Sequence, residues 1–169
     1  AGFQGEICAD AGHRLVTATD NSVYQLLPQA VCYPRHHTDV VAFLTLLGQD
    51  RFRSVHVSPR GGGTGTNGQS LTDGIVIDLS RHMNRILEVN LDERWVRIEP
   101  GVVLDQLNDH LQSTGLFFAP NLSPSSRATI GGMISTDAAG KGSRVYGKTS
   151  EHVLELRTVL VGGEAMVTR

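Results

Sequence analysis

The residues best placed to do chemistry in this sequence are glycines rather than acids or bases. Gly61-Gly62-Gly63-Thr64-Gly65-Thr66-Asn67-Gly68 is a run of small residues lying between two strand-like segments. Glycine removes the Cβ atoms that hold a ligand away from the backbone and permits positive φ. Successive N–H groups in such a run can form a concave nest for an anion. The run contains a formal GxGxxG match, Gly63 to Gly68, but a dinucleotide fingerprint needs a helix after it, within a βαβ unit of about 30 residues. Only six residues separate Gly68 from the strand at Ile75, so no helix fits. A P-loop needs a lysine directly after its glycines, and none occurs before Lys141. Two readings stay open: a mobile hairpin loop rich in turn residues, and a strand–loop–strand cradle holding a diphosphate by backbone N–H groups, with Thr64, Thr66 and Ser70 adding hydroxyls.

A second region, 120–148, is rich in Ser, Gly and Pro and too long for a plain connection, which marks it as functional or ligand-ordered. Arg127, Lys141, Arg144 and Lys148 face only Asp137 there, while the whole chain carries −2. Singly each reads as a solvated surface charge; together they suit a diphosphate and an acidic substrate. Gly131-Gly132 is either a tight turn or a place where main chain lies flat against a ring. The seven histidines show no metal spacing with a second ligand. There is no Gly-x-Ser-x-Gly elbow, and no residue is assigned as catalytic.

The elements around these loops follow from periodicity. Val31-Cys32-Tyr33-Pro34 is a short strand. Thr38 is expected to cap a helix carrying Val40, Val41, Leu44 and Leu47 and closed by Gly48. Ser54–Ser58 alternates like a strand, and Ile75–Leu79 is another. Ile86–Val89 and Trp95–Ile98 make a hairpin, and a helix through Val103, Leu104, Leu107 and Leu111 stops at Gly115. Leu156–Val161, a Gly162-Gly163 turn and Glu164–Thr168 follow. Residues 1–30 are weakly patterned. With 40% apolar and 19% charged residues the chain is globular. No apolar run approaches the ~20 residues of a membrane helix, and the charge gives no sign of nucleic-acid binding. Cys8 and Cys32 read as reduced thiols, which with the absence of a leader pattern in Ala1–Asp10 places the protein in the cytoplasm. Peripheral membrane association of a full-length protein is compatible with this. The chain lacks an initiator Met and is expected to be a fragment.

Pro59-Arg60-Gly61-Gly62-Gly63-Thr64-Gly65 resembles the pyrophosphate loop of the FAD-binding fold shared by vanillyl-alcohol oxidase and para-cresol methylhydroxylase. Val96-Arg97-Ile98-Glu99-Pro100-Gly101-Val102 looks like the strand ending in Glu-Pro-Gly-Val. Thr129-Ile130-Gly131-Gly132-Met133 looks like the Thr-Ile-Gly-Gly flavin segment. Asp137-Ala138-Ala139-Gly140 and Tyr146-Gly147 look like the Asn-Ala-Gly-Gly and Tyr-Gly elements, with aspartate in place of asparagine. The four segments occur in order. The chain is most similar to the D-lactate, glycolate and D-2-hydroxyglutarate dehydrogenases, and to long bacterial FAD-linked oxidases with an iron–sulfur part.

The resemblance implies FAD, bound without a covalent link because 61–70 holds no histidine, and oxidation of a 2-hydroxy acid to a 2-oxo acid by hydride transfer to the flavin. An iron–sulfur cluster would lie in a downstream part; the electron acceptor is left open. An alcohol, sugar or hydroxyarene oxidase, or a non-enzymatic nucleotide-binding module, remains the alternative. The implied cofactor contacts are Pro59, Arg60, Gly61, Gly62, Gly63, Thr64, Gly65, Thr66, Asn67, Gly68, Gln69 and Ser70; Pro100, Gly101 and Val102; and Ser125, Ser126, Thr129, Ile130, Gly131, Gly132, Ser135, Thr136, Asp137, Gly140, Tyr146 and Gly147. The expected fold is α+β in two lobes: a small α/β lobe and a mainly antiparallel one, cut short at its C-terminal end. Residues 1–30 would be an extension and 31–169 an incomplete FAD-binding domain; the 169-residue piece alone would fold, bind FAD weakly or not at all, and turn over nothing.

Overall fold

Near-continuous apolar runs mark strands buried on both faces, and Ala30–Tyr33 and Ile75–Asp78 are such runs. In the computed structural model, which describes residues 2–169, they are β2 (Ala30–Tyr33) and β4 (Ile75–Asp78), the parallel central pair of a four-stranded sheet. β1 (Glu6–Cys8) flanks β2 antiparallel, and β3 (Val57–Arg60) flanks β4 parallel. The order is β1-β2-β4-β3. Residues 6–17, which the sequence suggests are part of an extension, supply β1 and α1 (Ala11–Thr17), which lies against β2.

On one face of the sheet, α2 (His37–Leu47) buries Phe43, Leu44 and Leu47 against Cys32 and Ile77. On the other, Val31, Tyr33 and Val76 pack together. The cap of α2 differs from the expected Thr38: His36 is the N-cap, and Asp39 sits at the third helical position. The Asp39 carboxylate accepts from the backbone N–H of Gln4 at 2.7 Å, Arg35 at 2.9 Å and His36 at 3.3 Å. It thereby satisfies the N-cap donor of α2 and, through Gln4, ties β1's leading segment to the helix. The strand expected over Ser54–Ser58 is shifted to Val57–Arg60. Val55 stays outside it and packs on the α2 cluster.

The second lobe is built on the hairpin β5 (Ile86–Asn90) and β6 (Trp95–Ile98). Against it pack α3 (Leu104–Leu111) and α4 (Ile130–Ser135), burying Val102, Leu104, Leu107, Leu111, Ile130 and Met133. After α3 the chain turns at Gly115 with φ 74°, the left-handed stop expected there. A short helix α5 (Ser143–Tyr146) comes next. Antiparallel pairing here is split, because β7 (Leu156–Val159) and β8 (Ala165–Thr168) form a separate hairpin. Its turn leans on α2, where Gly162 N–H donates to the Leu44 carbonyl at 3.1 Å.

The connection from β3 to β4 sets the geometry of the cleft side. Because β3 and β4 are parallel neighbours, residues 61–74 must run back the length of the sheet from the end of one strand to the start of the other. Parallel strands are usually joined through a helix; here the crossover is the glycine run itself. That excludes the hairpin-loop reading and puts Gly61–Thr64 at the carboxyl ends of parallel strands, where open α/β sheets bind ligands.

Candidate functional site

The glycine run is pressed against the second lobe. A Cβ on Gly61 would overlap the Thr129 hydroxyl, and one on Gly62 would overlap the carbonyl oxygen of Arg127. These glycines therefore allow backbone to approach this chain's own backbone as well as a ligand. Gly63 has φ 62° and turns the run over. Among the described residues, no hydrogen bond within the chain is made by the backbone N–H groups of Gly62 to Thr66. The first loop donors that do find partners are Asn67, to Gln69 Oε1 at 3.1 Å, and Leu71, to the Gly68 carbonyl at 3.0 Å. A row of unspent N–H donors on a left-handed turn has the form of an anion nest.

Thr129 forms the base of this cradle. It is held by a bridge to Val103, with Leu104 N–H donating to the Ala128 carbonyl and Ile130 N–H to the Val102 carbonyl. Thr129 is buried, and its hydroxyl has no hydrogen-bond partner in the chain. A buried orphan hydroxyl is rare in folded proteins. Its position beneath Gly61 fits a polar group brought by a ligand. The residues present thus fit a diphosphate held by N–H groups and a hydroxyl.

Other expected contacts sit differently. Val102 belongs to the second core, and a Cβ on Gly101 would meet the carbonyl of Met83 at 2.6 Å, so both hold the 99–103 turn. Gly131 lies in the first turn of α4, donates to the Pro100 carbonyl at 2.9 Å, and has no room for a Cβ beside Pro100. Its smallness serves helix packing. Gly132 is exposed, and a Cβ there would meet only the Thr129 hydroxyl, at 3.2 Å. Ile130 is core, and Ser135 and Thr136 spend their hydroxyls on the carbonyls of Gly131 and Gly132. Ser70 is buried and donates to Asp20; Gln69 folds back over Gly65. Pro59 is exposed within β3, as are Thr66, Asn67 and Ser126, while Thr64 is half-buried.

Of the remaining expected residues, Ser125 and Tyr146 line a pocket of about 230 Å³ beside α3, together with Asn108, Phe117, Asn121 and Lys141. Tyr146 stands edge-on to Phe117, ring centroids 5.8 Å apart. Gly140 permits the close crossing at Asn121, and Gly147 turns with φ 82°. Asp137 adopts φ 44°, a region that Asn and Asp tolerate. Its carboxylate accepts from Ser150 N–H at 3.0 Å and lies 3.5 Å from Lys148. The Ser150 hydrogen bonds and the nearby ammonium hold its pKa below the usual carboxylate value.

Just after β6, Glu99 is buried, and its carboxylate takes Arg85 Nη2 at 2.7 Å and Arg85 N–H at 2.9 Å. Desolvation raises its pKa, but these bonds outweigh it and the pKa is lowered. Sequence reasoning gives no histidine a metal neighbour. The structure gathers Cys8, Asp10 and His13, with ligand atoms within 4.8 Å of one another. The helix cap accounts for that grouping: Asp10 accepts from Gly12 and His13 N–H at the start of α1, and His13 Nδ1 lies 2.7 Å from its other oxygen. Sequence reasoning also misses Thr19, Asp20 and Tyr24, because the Thr-Asp-Asn-Ser stretch reads locally as no more than a loop. Among the described residues no helix is long and apolar enough to cross a membrane.

With this geometry in place, comparison with known proteins identifies the fold first. The crystal structure of 6-hydroxy-D-nicotine oxidase from Arthrobacter nicotinovorans aligns with a TM-score of 0.84 at 24% identity, covering 99% of this chain and 36% of that one. Residues 28–169 match the FAD binding domain family, and the chain belongs to it. It is 63% identical over 166 residues to a D-2-hydroxyglutarate dehydrogenase of Pseudomonas putida, covering 98% of this chain and 16% of the relative. The corresponding enzyme of Pantoea ananatis is 60% identical over 168 residues, covering 99% of this chain and 16% of its own length. The chain thus spans 16% of the length of these two curated relatives.

Proposed function

We propose that this chain is the cofactor-holding part of an FAD-linked dehydrogenase that oxidises a 2-hydroxy acid to a 2-oxo acid, with D-2-hydroxyglutarate the favoured substrate. The observation that carries the reading is the row of unspent N–H groups at Gly62–Thr66 above the unpartnered Thr129 hydroxyl. Bound FAD supplies the two-electron acceptor, a chemistry that protein side chains lack. The chain's own part is to hold the diphosphate on loop N–H groups and Thr129, and to offer the exposed backbone at Gly132 as a surface for the ring. The surplus of Arg127, Lys141, Arg144 and Lys148 around 120–148 gives an acidic substrate a favourable field. The substrate choice is supported by the names of the relatives at 63% and 60% identity.

The same reading takes residues 31–169 as the FAD-binding unit, the flavin as non-covalent and the protein as cytoplasmic with reduced thiols. Cys32 fits that last point, since burial pushes its pKa to about 12. It also expects the 169-residue stretch alone to bind FAD weakly or not at all, and an iron–sulfur part elsewhere in a longer protein. The test uses the protein at its full natural length under anaerobic conditions. Flavin absorbance should bleach on adding D-2-hydroxyglutarate, and much more slowly with the L-enantiomer, glycolate or D-lactate. Bleaching by an alcohol, sugar or hydroxyarene alone would replace the substrate class. A colourless protein that binds nucleotides would leave only a binding module.

A further inference from the structure

The face of the glycine run away from Thr129 is closed by a segment near the N-terminus. Arg60 ends β3, and its Nη2 donates to the Thr19 carbonyl at 2.8 Å across 41 residues, while Nη1 lies 3.3 Å from Ser70 Oγ. Ser70 Oγ donates in turn to Asp20 Oδ2 at 3.2 Å, across 50 residues. The other Asp20 oxygen accepts from Ser22 N–H at 2.8 Å, and Tyr24 N–H donates to Ser22 Oγ at 3.1 Å. The Tyr24 ring rests on Gly68, where a Cβ would come 3.0 Å from Cδ2. The Arg60 guanidinium fills the space where Gly63 would carry a Cβ, directly under the left-handed turn.

We infer that Thr19 and Asp20 are positioning residues for the diphosphate cradle: with Ser70 they keep Arg60 turned inward, as a charge propping the turn at Gly63. This rests on the reading of the cradle as the FAD site. A guanidinium free to swing would bind phosphate as a bidentate fork. It would also draw the diphosphate off the N–H row. Tethered to a carbonyl and a hydroxyl, it supports the turn from beneath and lends its charge through the backbone. Burial lowers the Arg60 pKa, with Asp78 and Asp20 opposing the fall, so the two carboxylates favour the charge on the half-buried guanidinium. The segment that sequence alone reads as a loop is therefore one wall of the site.

The experiment compares Asp20→Ala, Asp20→Asn, Arg60→Ala and the Asp20→Ala/Arg60→Ala pair in the apoprotein of full natural length. Gly62→Val reports on the cradle itself. FAD affinity is read by flavin fluorescence quenching, and the environment of the diphosphate by phosphorus NMR of bound FAD. Each single Ala variant should weaken FAD about tenfold, the size of one lost charge-assisted bond. The double variant should be no weaker than the worse single one, because both act through one tether. Asp20→Asn keeps one acceptor oxygen for Ser22 N–H, replaces the other with an NH2 that can only donate to Ser70 Oγ, and drops the charge; it should bind better than Asp20→Ala yet shift the bound phosphorus resonances. If Asp20→Ala does not fold, Asp20→Asn against Arg60→Ala decides the point. Additive losses in the double variant, or wild-type affinity and unchanged resonances in Asp20→Asn, would overturn the inference. If Gly62→Val keeps its FAD, the cradle reading fails instead.

Discussion

The carbonyl oxygen of Arg127 occupies the space that a side-chain carbon on Gly62 would require. The two segments expected to embrace the cofactor are thus already in van der Waals contact with each other. Even Gly62→Ala should force them apart, costing about 1–3 kcal/mol in stability as overpacking does, together with most FAD binding. Urea melts and flavin titration of the same variant check this; unchanged values in both would show that the loops yield freely.

Gly132 makes the contrasting case. A Cβ there would meet only the Thr129 hydroxyl, at 3.2 Å; Gly132 is exposed and lies inside α4. Alanine there should change stability by no more than about 1 kcal/mol, the propensity gain of leaving glycine offsetting a small shift of Thr129. If the backbone at Gly132 lies against the flavin, FAD affinity should nevertheless fall. Loss of stability without loss of FAD would return Gly132 to an ordinary packing glycine.

Asp39 gives a pH dependence with a definite sign. Its carboxylate is buried, which raises its pKa, but the N–H bonds from Gln4, Arg35 and His36 outweigh this and the folded value is lowered. The stabilisation it gives is therefore complete above the unfolded value of about 3.9, and is lost as pH falls through the lower folded value. Asp39→Ala should cost about 1–3 kcal/mol at neutral pH by stranding those donors. The gap between variant and wild type should close in strong acid. Urea midpoints at two pH values measure it.

Residues 61–70 carry no histidine, so acid precipitation of the flavin-loaded protein should leave the yellow colour in the supernatant. A coloured pellet would locate a covalent link elsewhere.

How much of the fold and the site is legible in the sequence depends on range. The β5–β6 hairpin and the left-handed turn at Gly115 that follows α3 and one 3-10 turn rest on turn chemistry within a few residues, and both appear where the sequence puts them. The start of α2 differs from its expected place because Asp39 reaches back over three residues and out to Gln4. Thr38 is the nearer cap that local pattern offers. β3 is displaced since Val55 and Val57 both pack on the α2 cluster, yet only Val57 has a strand partner, in Ile75. The cradle's composition is visible in the sequence, but its partners are not. Arg127 lies 65 residues from Gly62, and no local pattern announces a contact of that span. The packing of Gly131 beside Pro100 is hidden for the same reason, the two being distant in sequence.

The strand order β1-β2-β4-β3 also sets the sequence of events on a ribosome. β2 and β3 are made before β4, yet they do not touch, because β4 lies between them. Until residue 78 has emerged, only the antiparallel β1–β2 pair can form, and β3 has no neighbour. The crossover that the nascent chain must thread to place its last strand in the middle is the glycine-rich stretch, the one whose backbone is least restricted. Pairings that close long loops form slowly, and unpaired edges invite association with other chains. Charged and polar residues on the waiting strand, Ser58 and Arg60, and the short length of all four strands limit that exposure during synthesis.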